Sequence, residues 1–473
     1  MGPADIPFMS ATELAGQIRL KNISPTEACR AYLDRIEQVD DKLNSYITIC
    51  GEQALADARR AEVEIARGEY KGPMHGIPVA VKDQFNTSGI LTTSGSTILK
   101  DFIPAEDSTV VAKLKDAGSI LLGKLNMSEF AMGDAFRHPY GRPHNPWDLE
   151  RNPGTSSSGS GAATAAFLCA TSIGEDTGGS IRGPATFCGL VGIRPSQGRV
   201  SRYGMLGAVW SMDVGGPISR TVSDCAITLE AIAGHDPRDP YTWDVPVPHY
   251  TDALDGNIRG VKIGVIRELM DHESVEPEIG DAVRSAIASL GELGATIQDV
   301  SIPLITSSSV IFGAISQVEG AAIQRDWIRD RLDEYDHNVR IRQLTGSVIP
   351  AQAYYKAQRL RTLLRDQMLD ALKTVDVLVL PTSSIPAPKI PAAAGIGSKA
   401  EAKAVFSGRR IYTNPGNLAG VPALSVPCGF TSEPPELPIG LQIMGSPFDE
   451  AIVLKVAHAY EQNTDWHTRR PPI

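Results

Sequence analysis

Pro153-Gly154-Thr155-Ser156-Ser157-Ser158-Gly159-Ser160-Gly161, followed after an alanine-rich run by Asp176-Thr177-Gly178-Gly179-Ser180-Ile181-Arg182, is the stretch from which the rest of this chain is read. It sets two glycine-flanked serines, Ser156 and Ser180, on either side of a helical segment. Short apolar strands alternate with helices around it. Upstream stand Val79-Ala80-Val81, a helix opened by Asp107-Ser108-Thr109, and a strand over Ser119-Leu122. Such alternation predicts an α/β layered fold whose sheet is largely buried by helices.

N-terminal to these segments, the first 70 residues read as helices. Ser24-Pro25-Thr26-Glu27 combines an N-cap serine, proline at the first helical position and glutamate three residues after the cap. A Pro- and Asp-rich break, His235-Asp236-Pro237-Arg238-Asp239-Pro240, precedes a second set of elements. There Val261 to Ile266, a helix around Glu276-Leu293 and Thr296 to Val300 predict a βαβ unit. Residues 308–374 read as mostly helical, and Val375-Leu380, Ala423-Val426 and Ile439-Ile443 as late strands.

Hydrophobic residues make up 42% of the 473 and charged ones 21%, enough for a sizeable core. The net charge of −10, without any basic run, argues against nucleic acid or an anionic membrane as a partner. No apolar stretch reaches the roughly 18 residues of a membrane span. Six cysteines are scattered singly without a CxxC pair, and the N-terminus lacks a basic-then-apolar leader. Both features predict reduced thiols and a cytoplasmic location.

A hydroxyl nucleophile needs a base, a proton path and donors for an oxyanion. Ser180 follows Thr177-Gly178-Gly179, a turn whose successive N–H groups can face one concavity. Ser156 lies in a second Gly/Ser-rich turn between structured flanks. Lys82 ends the apolar run Gly76-Ile77-Pro78-Val79-Ala80-Val81; if buried there, desolvation would leave it a neutral amine able to act as a base. The plainer readings are a helix-capping loop, a linker and a solvent-facing lysine. Gly118 to Leu125 imitates a phosphate-binding loop, but Leu125 stands where the motif needs serine or threonine. The nine histidines show no paired ligand spacing, so neither a metal nor a cofactor is expected.

Together, these segments closely resemble the amidase signature family of Ser-Ser-Lys hydrolases. The resemblance rests on Gly76 to Asp83, Gly123 to Gly133, Asn145-Pro146-Trp147-Asp148, Gly154 to Ser160, Asp176 to Gly189 and Asn414 to Ala423. It implies a three-layer α/β/α fold with a mixed, mostly parallel central sheet covered by helices. It also implies a single domain over 1–473, with a helical part at 1–70, the signature core at 71–240, an elaboration shaping the pocket at 241–400, and a return to the core at 401–473.

By the same resemblance Ser180 is the acyl-forming nucleophile, Ser156 the bridging serine held by a cis peptide, and Lys82 the base. Thr177, Gly178, Gly179 and Ser180 would offer the oxyanion N–H groups, and Met132 and Ser156 would contact substrate. Asp176 and Arg182 would brace the turn as an ion pair. Thr155, Ser158 and Gly183 depart from the family's common residues, which leaves substrate preference open. The implied activity is cleavage of a carboxamide C–N bond to an acid and ammonia or an amine, with esters and carbamates within the same chemistry. The implied ligand is a small-molecule amide, with neither nucleic acid nor membrane as a partner, and a homodimer is left open. The alternative is the glutaminase (A) subunit of a tRNA-dependent amidotransferase. There, the segment Tyr354 to Thr362 would supply Arg361 to hold a glutamine carboxylate. Phe136, Tyr140, Tyr203, Trp210, Phe312 and Tyr412 are the aromatic candidates for the pocket.

Overall fold

The computed structural model describes residues 2–133, 138–391 and 410–473. Phe136 and the division expected at 400/401 lie outside these residues.

The capping signal at Ser24 opens the helix Pro25–Leu43 as expected. Ser24 Oγ accepts the Glu27 N–H at 3.1 Å and the Glu27 carboxylate accepts the Ser24 N–H at 2.8 Å. Eleven strands among the described residues form one sheet. They are β1 (Tyr46–Ile49), β2 (Pro78–Lys82), β3 (Ile120–Leu125), β4 (Thr171–Glu175), β5 (Val191–Arg194), β6 (Gly215–Ser219), β7 (Lys262–Ile266), β8 (Thr296–Val300), β9 (Val377–Pro381), β10 (Ala423–Phe430) and β11 (Pro438–Gly445). Their spatial order is β1-β3-β2-β4-β6-β5-β10-β11-β9-β7-β8.

Both faces are covered, and β9 shows it directly. Val377 and Val379 enter one apolar core while Leu378 and Leu380 enter another, as alternation across a strand requires. The helices Pro25–Leu43, Val222–Ile232 and Glu450–Glu461 contribute to the first core. Those at Ser308–Ile323 and Ala351–Leu372 contribute to the second. The sheet is thus the middle of three layers, and it is mixed.

Its proportions correct the expectation of mostly parallel pairing. Parallel pairs are confined to β3-β2-β4 and β9-β7-β8, and every other neighbouring pair is antiparallel. The cause is local: β10 and β11 form a hairpin-like pair in the centre, and β6 inserts between β4 and β5. The predicted βαβ unit forms β7, the helix Pro277–Glu292 and β8 at one edge. Among the described residues no helix is long and apolar enough to cross a membrane.

Candidate active site

β2 and β4 run side by side in parallel, with Val81 opposite Ile173, so their carboxyl ends open on one crevice. Lys82 ends β2 and Glu175 ends β4. Lys82 is fully buried, and its Nζ donates to Ser156 Oγ at 2.7 Å and to Glu175 Oε2 at 3.0 Å. Burial pushes the Lys82 ammonium below its ordinary pKa, against the opposing pull of the Glu175 carboxylate. The Thr155–Ser156 peptide is cis. Ser157 and Ser158 lead directly into the helix Ser158–Ala165, which is small-residue-rich because it packs against backbone. A Cβ on Gly159 would lie 2.5 Å from the Asn126 nitrogen and 2.6 Å from its carbonyl oxygen.

Beyond β4 the chain turns through Asp176 to Ile181. The Asp176 carboxylate accepts from Gly179 N at 2.7 Å, Ile181 N at 3.1 Å, Arg182 Nε at 3.1 Å and Asn417 Nδ2 at 2.6 Å. Burial alone would raise its pKa. Arg182 and Arg194 outweigh that and hold it well below the usual carboxylate range. The turn is therefore braced by a buried, fully hydrogen-bonded ion pair. Gly179 has φ +111°, and a Cβ there would strike Thr413. A Cβ on Gly178 would lie 2.5 Å from the Phe312 ring. Glycine is required at both positions.

The expected oxyanion set needs one correction. The Gly179 N–H is spent on Asp176 Oδ1, so it cannot also face a substrate oxygen. The N–H groups of Thr177, Gly178 and Ser180 have no acceptor among the described residues. The Ser180 hydroxyl, too, makes no hydrogen bond among the described residues. The Lys82–Ser156 contact is thus formed, and the link from Ser156 to Ser180 is not.

Sequence reasoning missed the carboxylates behind Lys82. Thr177 Oγ1 lies 2.5 Å from Glu175 Oε1 and 2.7 Å from Asp213 Oδ1, and all three residues are buried. Burial and the Glu175 charge push the Asp213 carboxyl up to about 7. The one trace in the sequence is an acidic residue closing the otherwise apolar and small Ser172-Ile173-Gly174, which by itself reads as solvent-facing.

Other candidates fall elsewhere. Lys124, in the phosphate-loop imitation, is buried and ion-paired to Asp83 at 3.2 Å. Met132 is buried, its carbonyl accepting from Arg342 Nη1 at 3.3 Å and its sulfur from Gln343 Nε2 at 2.7 Å. Arg361 gives Nε to Leu418 O, Nη1 to Ser211 Oγ and Nη2 to Ser211 O, all within 2.9 Å. Of the aromatics, Phe312 meets the Ser180 turn. Tyr412 is buried against Ser274, Tyr203 bonds Glu106, Tyr140 bonds the Ser96 carbonyl, and Trp210 is half exposed against Tyr241.

The sequence profile of the family described as Amidase matches residues 27–454. The chain belongs to the amidase signature family. It is thereby an enzyme acting on amide C–N bonds. It is 43% identical to the glutamyl-tRNA(Gln) amidotransferase A subunit of Moorella thermoacetica, over 99% of each chain. Among solved structures it superposes on the A subunit of the same name from Thermotoga maritima with a TM-score of 0.80, at 33% identity over 97% of this chain and 96% of that one. It also superposes on a chain from a vestigial complex tied to the origins of an s-triazine catabolic enzyme. That match has a TM-score of 0.89 and 32% identity over 96% and 98% of the two chains. The A subunits overturn the expectation of a small-molecule enzyme without a nucleic-acid partner. Their name carries a tRNA and makes each of them one subunit of an assembly, and the similarity runs the full length of the chain.

Proposed function

We propose that this chain is the amide-hydrolysing A subunit of a glutamyl-tRNA(Gln) amidotransferase, releasing ammonia from glutamine for use by partner subunits. The observation that carries the chemistry is the 2.7 Å contact between the buried Lys82 amine and Ser156, set beside a Gly-Gly turn that presents Ser180. The full-length similarity to A subunits carries the choice of assembly.

In this reading neutral Lys82 takes the proton of Ser156, which takes the proton of Ser180 as its oxygen attacks the amide carbon. The oxyanion that forms is held by the N–H groups of Thr177, Gly178 and Ser180; one such donor is worth about 2.7–4 kcal/mol in the transition state. Collapse expels ammonia, protonated through Ser156, and water then attacks the Ser180 ester to release the acid. Ser156 also borders the substrate. The thiols, free throughout, fit a cytoplasmic setting.

The test is ammonia release from glutamine by the chain alone, with its partner subunits, and with glutamyl-tRNA added. Stimulation of about tenfold or more by partners and tRNA is expected. A chain that turns over simple amides rapidly on its own and ignores both additions is a free amidase instead. A serine-directed acylating probe should label the native chain and not Ser180→Ala.

A further inference from the structure

β4 and β6 run antiparallel, with Glu175 opposite Gly215. Carried two residues further, past the end of β4 and back before the start of β6, this register sets Thr177 opposite Asp213. The backbone keeps it that far, since the Asp176 N–H bonds the Val214 carbonyl at 2.9 Å. The two side chains meet there, with Thr177 Oγ1 2.7 Å from Asp213 Oδ1 and both residues buried. The second Asp213 oxygen, Oδ2, accepts the N–H groups of Ala208 at 2.7 Å and Val209 at 2.8 Å. One carboxylate thus joins the nucleophile turn to the loop from Leu206 to Met212. A carboxylate serving the loop alone would need Oδ2 and no more.

The nucleophile turn is held from several sides. Asp176 grips its far half through the Gly179 and Ile181 N–H groups, and Arg194 Nη1 donates to the Asp176 carbonyl. Thr413 Oγ1 donates to the Gly178 carbonyl at 2.9 Å. The peptide between Thr177 and Gly178 is held through the Thr177 side chain, which is clasped by Glu175 and Asp213. Two glycines follow Thr177, and glycine resists backbone rotation least. The direction of the Gly178 N–H therefore depends on where the Thr177 side chain is anchored. From that anchor the contacts run on through Glu175 to Lys82 Nζ and Ser156 Oγ.

We propose that Asp213 is a positioning residue for acyl transfer, aiming the Thr177 and Gly178 N–H groups at the oxyanion by way of the Thr177 hydroxyl. This rests on the Ser180 chemistry proposed above and not on glutamine or on partner subunits. Asparagine could fill the same place: its Oδ1 can accept from Ala208 and Val209 while its Nδ2 donates to Thr177 Oγ1, leaving the Thr177 proton for Glu175. Alanine supplies neither contact.

A fluorophosphonate tests this without any amide substrate. Ser180 Oγ bonds to phosphorus, fluoride leaves, the Ser180 proton departs through Ser156, and the phosphoryl oxygen takes the place of the oxyanion. The measurement is the limiting rate of inactivation and the KI of the full chain. Asp213→Ala and Thr177→Val should each lower the limiting rate by about ten- to hundredfold with little change in KI, and Asp213→Asn should recover most of that loss. The double variant Asp213→Ala/Thr177→Val should be no slower than the slower single one, because two residues acting through one contact are not additive. Additive losses, or an Asp213→Asn chain as slow as folded Asp213→Ala, overturn the proposal. Should Asp213→Ala fail to fold, Asp213→Glu replaces it in both backgrounds, its longer side chain shifting Thr177. A loss that vanishes in Thr177→Val then supports the bridge, and the same loss in both refutes it. A native chain left unlabelled at Ser180 overturns the proposal together with its nucleophile. The expected pattern in a chain that releases no ammonia from glutamine supports the role of Asp213 and removes the glutaminase assignment.

Discussion

Lys82 would need to be neutral to act as a base, and its surroundings pull both ways. Burial disfavours the ammonium, while the Glu175 carboxylate at 3.0 Å favours it. If the neutral amine is the active form, kcat/KM rises with pH through the Lys82 pKa. Glu175→Gln removes the influence that raises that pKa, so the rising limb should move to lower pH. A pH profile from mildly acidic to alkaline conditions reads this directly; a limb that stays put or moves upward disproves the tuning role. Lys82→Ala should lose about 10²–10⁴-fold while the fold persists. The serines and the lysine were legible because glycine-flanked hydroxyls and a lysine closing an apolar run are unusual in any chain. Glu175 was not, since one acidic residue at a strand end reads as solvent-facing until its neighbours are known. Gly179 was misjudged for a related reason: which N–H of a turn is free depends on where the Asp176 carboxylate lies.

Among the helices and strands, caps and periodicity carried most of what was read. Ser24 opened its helix, and the strand–helix–strand around residues 262–300 formed as a parallel unit. Tyr46–Ile49 escaped notice because four residues give too little alternation to separate a strand from a loop. The parallel-to-antiparallel balance was unreadable for another reason, since β5 pairs with β10, a strand far downstream in the chain. The helix Ser158–Ala165 joins sequence to site most tightly. Its glycines read as part of the Gly/Ser-rich turn around Ser156, yet Gly159 exists because the Ser45 and Asn126 backbones pass where a side chain would stand. Gly159→Ala should therefore push this helix off the sheet and displace Ser156 at its entrance. An overpacking cost of about 1–3 kcal/mol is expected, seen as a lower Tm with activity falling further than stability alone explains. A variant as stable and active as the parent would show that the helix can shift without moving Ser156.

Net charge is a property of the whole molecule, and it misled about partners because it sums over every face without saying which face meets another chain. A charge of −10 still constrains how a tRNA could be engaged. Phosphate contacts made by lysines and arginines release counterions, so each adds about −0.7 to −0.9 to the slope of log K against log salt. If the proposed assembly is right, an acidic chain without a basic run should contribute few such contacts, leaving tRNA to be held by the partner subunits. The expected result is that adding the chain to its partners changes the salt slope of tRNA binding by less than about one unit, even as it confers glutamine-dependent amidation. A slope steeper by several units would locate phosphate contacts on this chain, and its surface arginines would then have to be mapped one by one.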